Sequence, residues 1–218
     1  MVSVMVFGNY ACFTRPELKA ERYSYDVMTP GAARNILQAI YWHPGFNYEI
    51  VSIQVCNPIR FAGNIKRNEL ESKISTKNIK SMMLGGEKNY LIASEKRQQR
   101  STIPLKDVCY VINANVKLDN PADILFEKKI LAIFNRRVEK GQCFSTPYLG
   151  CKEFEASFIP CESIPNCPDE LIGCRDLGIM LYDMDFKNPT KPVPMFFRAV
   201  LKNGVMKVPS AESEDILR

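Results

Sequence analysis

At 218 residues, with 46% hydrophobic and 24% charged residues, the chain can bury one large core or two smaller ones. No apolar run approaches the roughly 20 residues of a membrane-spanning helix. The opening "MVSVMVFGNYACF" also lacks the basic start and small-residue cleavage site of a secretory signal, so a cytoplasmic protein with no membrane partner is expected.

The first stretch, Val2 to Phe13, alternates as a strand does, and Gly8 marks a bulge or a close approach of another segment. Thr29 then offers an N-cap, with Pro30 at the first helical position, where its missing N–H is harmless. Ala33, Ile36, Leu37, Ile40 and Tyr41 recur at helical steps, and Pro44-Gly45 is the stop. This predicts Tyr41, Trp42 and His43 in the last turn of that helix. Two-residue spacing in a helix turns side chains about 200° apart, so Tyr41 and His43 would diverge unless the end frays.

Phe46, Tyr48, Ile50, Ile53 and Val55 alternate as a second strand, which Asn57-Pro58 stops. Between Asn64 and Arg100 lie Lys66, Arg67, Lys73, Lys77, Lys80, Lys88, Lys96, Arg97 and Arg100, against four glutamates. Periodicity is weak there, and a hairpin or partly mobile excursion is expected. A solvated insertion and a phosphate-tracking surface both fit that charge. "DVCYVINANVKL", 107–118, reads as a third strand. Asn120-Pro121 repeats the cap-plus-proline start for a helix through Ile124, Leu131, Phe134 and Val138 to Gly141. Beyond Gln142 the chain is strand- and turn-rich, with prolines at 147, 160, 165, 168, 189, 192 and 194, and Asn203-Gly204 is a strong hairpin signal.

The order strand, helix, strand, excursion, strand, helix predicts an α+β protein. Its residues 1–142 form a ferredoxin-like, RNA-recognition-motif-like domain, and 143–218 a smaller β-rich domain. Eight cysteines in a cytoplasmic chain are expected as free thiols. Cys151, Cys161, Cys167 and Cys174 are spaced widely and without a Cys-x-x-Cys pair, which favours buried thiols over zinc.

Four strings, "VFGNYACFTRPELKAERYSYDVMTPGAARNILQAIYWHP", "NPIRFAGNIKRNE", "FNRRVEKGQCFSTPYLGCKEF" and "FRAVLKNGVMKVP", resemble the Cas-five-d family of type I-C CRISPR systems (the Dvulg subtype) in order and separation. The resemblance covers nearly the whole chain. It implies an endoribonuclease that cuts precursor CRISPR RNA at a repeat hairpin without a metal or cofactor. It also implies retention of the 5′ handle in a surveillance complex with backbone and large subunits, double-stranded DNA being a further partner. The alternative is a subunit that caps the handle without cutting. A general RNA- or DNA-binding module outside CRISPR is a third reading, opposed only by the family strings.

The resemblance assigns Tyr41, in Tyr41-Trp42-His43-Pro44, as catalytic, together with Lys129 ahead of Phe134 and Arg136-Arg137. Relatives place a histidine directly after that lysine, where this chain has Ile130, and often another at the position of Ser145. Isoleucine cannot transfer a proton. An imidazole titrates near pH 6.5, so His43, the only histidine, is the candidate to compensate. Its plainer role is helix capping or phosphate contact. Tyr41 read from periodicity alone is a core aromatic, and Lys129 beside Lys128 a solvated cation. Arg34, Lys66, Arg67, Lys128, Arg136 and Arg137 are candidates for RNA binding, with Arg34 equally placed to pair a local carboxylate. Trp42 suits base stacking or interdomain packing.

Overall fold

A computed structural model describes the chain except for Lys19, Pro121, Ile164 and residues 186–191. The first strand, β1 (Val2–Ala11), buries Val2, Val4 and Val6 on one face. Gly8 is a close approach, as expected: a Cβ there would lie 2.6 Å from Leu149 Cδ1 and 2.9 Å from the Glu155 carbonyl oxygen. After the short β2 (Arg22–Tyr23) comes α1 (Pro30–Ile40). The Thr29 hydroxyl accepts from the Ala32 amide at 3.4 Å, and Ala33, Ile36, Leu37 and Ile40 are buried along one stripe.

The helix is shorter than its sequence predicts. Tyr41 is its C-cap, with extended backbone (φ −154°, ψ 126°), so Tyr41, Trp42 and His43 lie beyond the last turn and not in it. Two physical causes act together. Pro44 disfavours helical backbone at His43, and the amides of Phe144 and Ser145, at 2.8 and 3.2 Å, take the Ala39 carbonyl that a continuing helix would have used.

Strand β3 (Phe46–Val55) follows, then β4 (Ile65–Leu70), α2 (Thr76–Met83) and β5 (Arg97–Ile103) across the basic segment. The hairpin is present, with a helix at its tip that periodicity did not reveal. Helix α2 buries none of its residues, and in eight residues its apolar row is only Ile79, Met82 and Met83, too short to announce a helix; its clearer local signal is the Ser75 cap on the Asn78 amide at 3.1 Å. Strands β2, β5 and β4 form a small separate sheet.

Strand β6 (Leu105–Leu118) and α3 (Ile124–Glu139) complete the front of the chain. The proline expected at the start of α3 lies outside the described residues, as does the proline at 189, and the observed cap is Asp123, accepting from the Phe126 amide at 3.0 Å. Then come β7 (Ser157–Pro160), β8 (Cys174–Asp185), β9 (Val193–Lys202) and β10 (Val205–Lys207). Asn203 and Gly204 both adopt left-handed backbone (φ 48° and 75°), the turn their sequence predicts.

The large sheet runs β7-β1-β6-β3-β10-β9-β8, antiparallel at every pairing. It follows that β1 and β3, linked by α1, run parallel with β6 between them, and that β6 and β7, linked by α3, run parallel with β1 between them. The protein is thus a mixed α+β structure dominated by antiparallel sheet. Strands from beyond residue 143 add to both edges of this sheet, so the sheet crosses the expected domain boundary. One hydrophobic cluster joins Val4, Val6, Tyr110 and Ile112 of the sheet to Ile36 and Leu37 of α1 and Ile130 and Phe134 of α3.

The described cysteines are all free, but only Cys151 of the late four is buried. Cys174 is exposed, because it opens a strand at the sheet margin, and Cys161 and Cys167 are half-buried. Among the described residues no cluster of histidine, cysteine and acidic groups is arranged to hold a metal ion.

Candidate active site

The end of α1 is held from three directions. The Ala39 carbonyl accepts from the Phe144 and Ser145 amides, and the Ile40 carbonyl accepts from the Arg137 guanidinium of α3 at 2.6 Å. The Tyr41 carbonyl accepts from the Tyr48 hydroxyl of β3 at 2.9 Å. The Tyr41 ring itself is largely buried, 5.9 Å from the Phe46 ring and beneath the Arg137 guanidinium at 5.0 Å from its centroid. Burial above all, and the neighbouring Tyr41 after it, push the Tyr48 phenol above its ordinary value, against the pull of Arg137.

Two residues on, His43 is exposed. Its Nδ1 lies 2.6 Å from the Pro44 carbonyl oxygen, which fits an N–H donated there. The His43 ring packs edge-on against Phe126 of α3 at 6.0 Å. The segment Tyr41–His43 therefore runs beside α3 between two fixed contacts, Phe126 at one end and Arg137 at the other. Lys129 emerges between them along the helix axis, one turn after Phe126. It is exposed, as are Lys128 and Arg136.

Ile130, about 100° round the helix from Lys129, is fully buried with Phe134 and Val138 on the core face of α3. Ser145, by contrast, sits at the surface with its amide on the end of α1. The structure thus brings Arg137 and Ser145 to the end of α1 beside Tyr41, and sets His43 against Phe126, with the exposed Lys129 one turn along α3 from Phe126.

The remaining RNA-binding candidates divide. Arg34 is not free: both its terminal nitrogens bond Asp183 of β8, the NH2 contact at 2.9 Å, and burial lowers its pKa. This pair lines a cleft of about 530 Å³ with Thr29, Gly31 and Tyr148, away from Tyr41 and Lys129. Arg67 is spent internally on Glu69, the Thr102 hydroxyl and the Ala20 carbonyl, whereas its neighbour Lys66 is exposed on the small sheet. Trp42 is 50% exposed, an available aromatic surface.

Reading by residue type missed Phe126 and Tyr48, the two aromatics that fix the site from behind. A signal existed for the first. Phe126, Ile130, Phe134 and Arg137 follow one helical stripe, which places Arg137 at the end of a core-facing row where its head reaches out over Tyr41.

The sheet order and helices belong to a known class of fold. A solved structure described as a CRISPR-associated protein superposes with a TM-score of 0.66 at 23% identity, covering 99% of this chain and 95% of the other. A functionally uncharacterized Streptococcus mutans protein, SMU1763c, matches at 0.66 and 24%, covering 99% and 96%. The family described as CRISPR-associated protein (Cas_Cas5), in its Cas5d form, matches residues 1–209, and the chain belongs to it. A CRISPR pre-crRNA endoribonuclease Cas5d of Mannheimia succiniciproducens is 43% identical over 224 residues, spanning 100% of this chain and 98% of the relative. Its Thermus thermophilus counterpart is 37% identical over 236 residues, spanning 100% and 95%.

Proposed function

We propose that this protein is a cytoplasmic, metal-independent endoribonuclease that cuts precursor CRISPR RNA at the repeat hairpin. It then keeps the 5′ handle as a subunit of a type I-C surveillance complex, beside its backbone and large subunits and in reach of double-stranded DNA. The observation that carries this reading is full-length identity of 43% to a relative named for that activity; the packing of His43 on Phe126 and of Tyr41 beneath Arg137, both of α3, is compatible with it. The interleaved parallel pairs β1/β3 and β6/β7 favour a ferredoxin-like, RNA-recognition-like body built mainly from residues 1–142 and completed by β7 from beyond that boundary, with the rest of 143–218 as the β-rich extension that bears Ser145.

In this chemistry the ribose 2′-oxygen attacks the adjacent phosphorus and the bond to the 5′-oxygen breaks, leaving a 2′,3′-cyclic phosphate. The 2′-hydroxyl proton goes to a base and the departing 5′-oxygen receives one. Lys129 supplies positive charge at the phosphoryl oxygens, and Tyr41 orients the 2′-oxygen. His43, exposed beside Tyr41, supplies the proton-transfer capacity that Ile130 lacks. Lys66, Lys128 and Arg136 track flanking phosphates.

The test uses repeat RNA in chelator beside the same RNA with a 2′-deoxy cut position. Cutting of the first and not the second is expected. Tyr41→Phe, Lys129→Ala and His43→Ala should each slow single-turnover cutting by about 10²–10⁴-fold, the usual worth of a proton-transfer or charge-stabilising group. Undiminished cutting by His43→Ala removes that residue from the mechanism. The full burial of Ile130 favours a second reading, a handle-capping subunit that binds without cutting. Tight binding with no product from either RNA would establish it.

A further inference from the structure

We infer that Arg137 is a positioning residue that holds the Tyr41 phenol for cleavage, and not a phosphate ligand. The inference rests on the reading of Tyr41 as catalytic, but its geometric basis is separate. Tyr41 sits in extended backbone between a helix end and a proline-restricted turn, where nothing in the helix itself fixes the direction of its side chain. A single guanidinium engages it twice. One nitrogen donates to the Ile40 carbonyl at 2.6 Å, and the plane covers the Tyr41 ring at 5.0 Å. The Ile40 carbonyl belongs to the last turn of α1, where unpaired carbonyls and the helix dipole favour a cation. With the Ala39 carbonyl held by residues 144 and 145 and that of Tyr41 by Tyr48, three consecutive peptide groups are each pinned by a different segment.

Arg137 is also half-buried, whereas the adjacent Arg136 is exposed, one step of about 100° round the helix. The two arginines of "NRRVE" therefore have different duties: Arg136 faces solvent and Arg137 faces Tyr41. Lysine cannot replace the second fully, since a point ammonium lacks the planar fork that meets a carbonyl and a ring together.

The experiment separates rate from affinity on the full chain. Single-turnover cutting at saturating repeat RNA is measured for Arg137→Ala and Arg137→Lys, with binding of the 2′-deoxy RNA measured across a salt series. Acrylamide quenching of Trp42, the only tryptophan, reports order in the segment next to Tyr41. Misplacing a reacting group by about an ångström costs on the order of 10²-fold in rate. Arg137→Ala should therefore cut about 10²-fold more slowly, bind within about threefold of wild type with an unchanged salt slope, and raise the quenching of the already half-exposed Trp42. Arg137→Lys should recover part of the rate, and this milder variant carries the test if Arg137→Ala does not fold. A full rate at saturation, with weaker binding and a salt slope shallower by about 0.7, would overturn the inference. So would unchanged quenching of Trp42. Tyr41→Phe is run alongside: if it cuts at the wild-type rate, the assignment of Tyr41 fails, while the quenching result still decides whether Arg137 orders the segment.

Discussion

Asp183 of β8 grips both terminal nitrogens of Arg34 on α1, joining the first helix to a strand that enters the sheet nearly 150 residues later. The Arg34 Nε is buried and has no hydrogen-bond partner among the described residues, so the guanidinium depends on that carboxylate. Asp183→Ala is expected to destabilise the protein by about 1–3 kcal/mol, the range for lost hydrogen bonds to a charged group, read from urea unfolding. Arg34→Ala should lose a similar amount and leave the salt dependence of RNA binding unchanged. A shallower salt slope in Arg34→Ala would instead return Arg34 to the phosphate surface.

Lys66 and Arg67 are neighbours in sequence with opposite expected phenotypes. Lys66→Ala leaves the fold intact and, if it contacts one phosphate of single-stranded RNA, reduces the slope of log affinity against log salt by about 0.7. Arg67→Ala strips Glu69, Thr102 and Ala20 of a shared partner and should lower stability by about 1–3 kcal/mol. Equal salt slopes for wild type and Lys66→Ala would take Lys66 off the RNA path.

These contrasts mark what could be read from the sequence. Alternation and helical stripes located β1, α1, β3, β6 and α3, because each buries a face and burial writes a period. Helix α2 escaped since its apolar row, Ile79, Met82 and Met83, lies within only eight residues and packs into no core. The end of α1 was misplaced by three residues because its cause is tertiary, the capture of the Ala39 carbonyl by residues 144 and 145. Tyr41 and Lys129 were legible only through family strings. No local pattern distinguishes a site tyrosine from a core one, and burial of its ring here shows that Tyr41 has both characters. Asp183 lies 149 residues from Arg34, and Thr102 and Ala20 lie 35 and 47 from Arg67, separations that periodicity does not see.

Gly150, in "YLGC", adopts φ +84°, and a Cβ there would overlap the Cys12 carbonyl carbon and oxygen. The same turn is sewn to β1 by the Cys12 amide donating to the Leu149 carbonyl at 3.0 Å. Gly150→Ala combines left-handed backbone with a clash against backbone that cannot move aside. It is expected to cost about 2–4 kcal/mol, seen as a lower urea midpoint. Gly141→Ala is the control: it has positive φ but open space around it, so it should cost only about 1 kcal/mol. Equal losses would show that backbone conformation alone sets the penalty.

The buried Tyr48 predicts how the fold fails in alkali. Its phenol is held above the ordinary value, mainly by burial, while in the unfolded chain it ionises near pH 10. Below that pH both states keep the proton and the stabilising difference is fully present. Above it the unfolded chain releases a proton that the folded one retains, so stability falls as pH rises, by up to about 1.4 kcal/mol per pH unit for this group. Tyr110 is shifted in the same direction by the same cause and adds to the slope. Tyr48→Phe should cost about 1 kcal/mol at pH 8, through loss of the hydrogen bond to the Tyr41 carbonyl. Above pH 10 its stability should decline less steeply than that of wild type. Urea unfolding at pH 8, 10 and 11 gives both numbers. Parallel wild-type and variant curves would mean that Tyr48 ionises as readily in the fold as outside it.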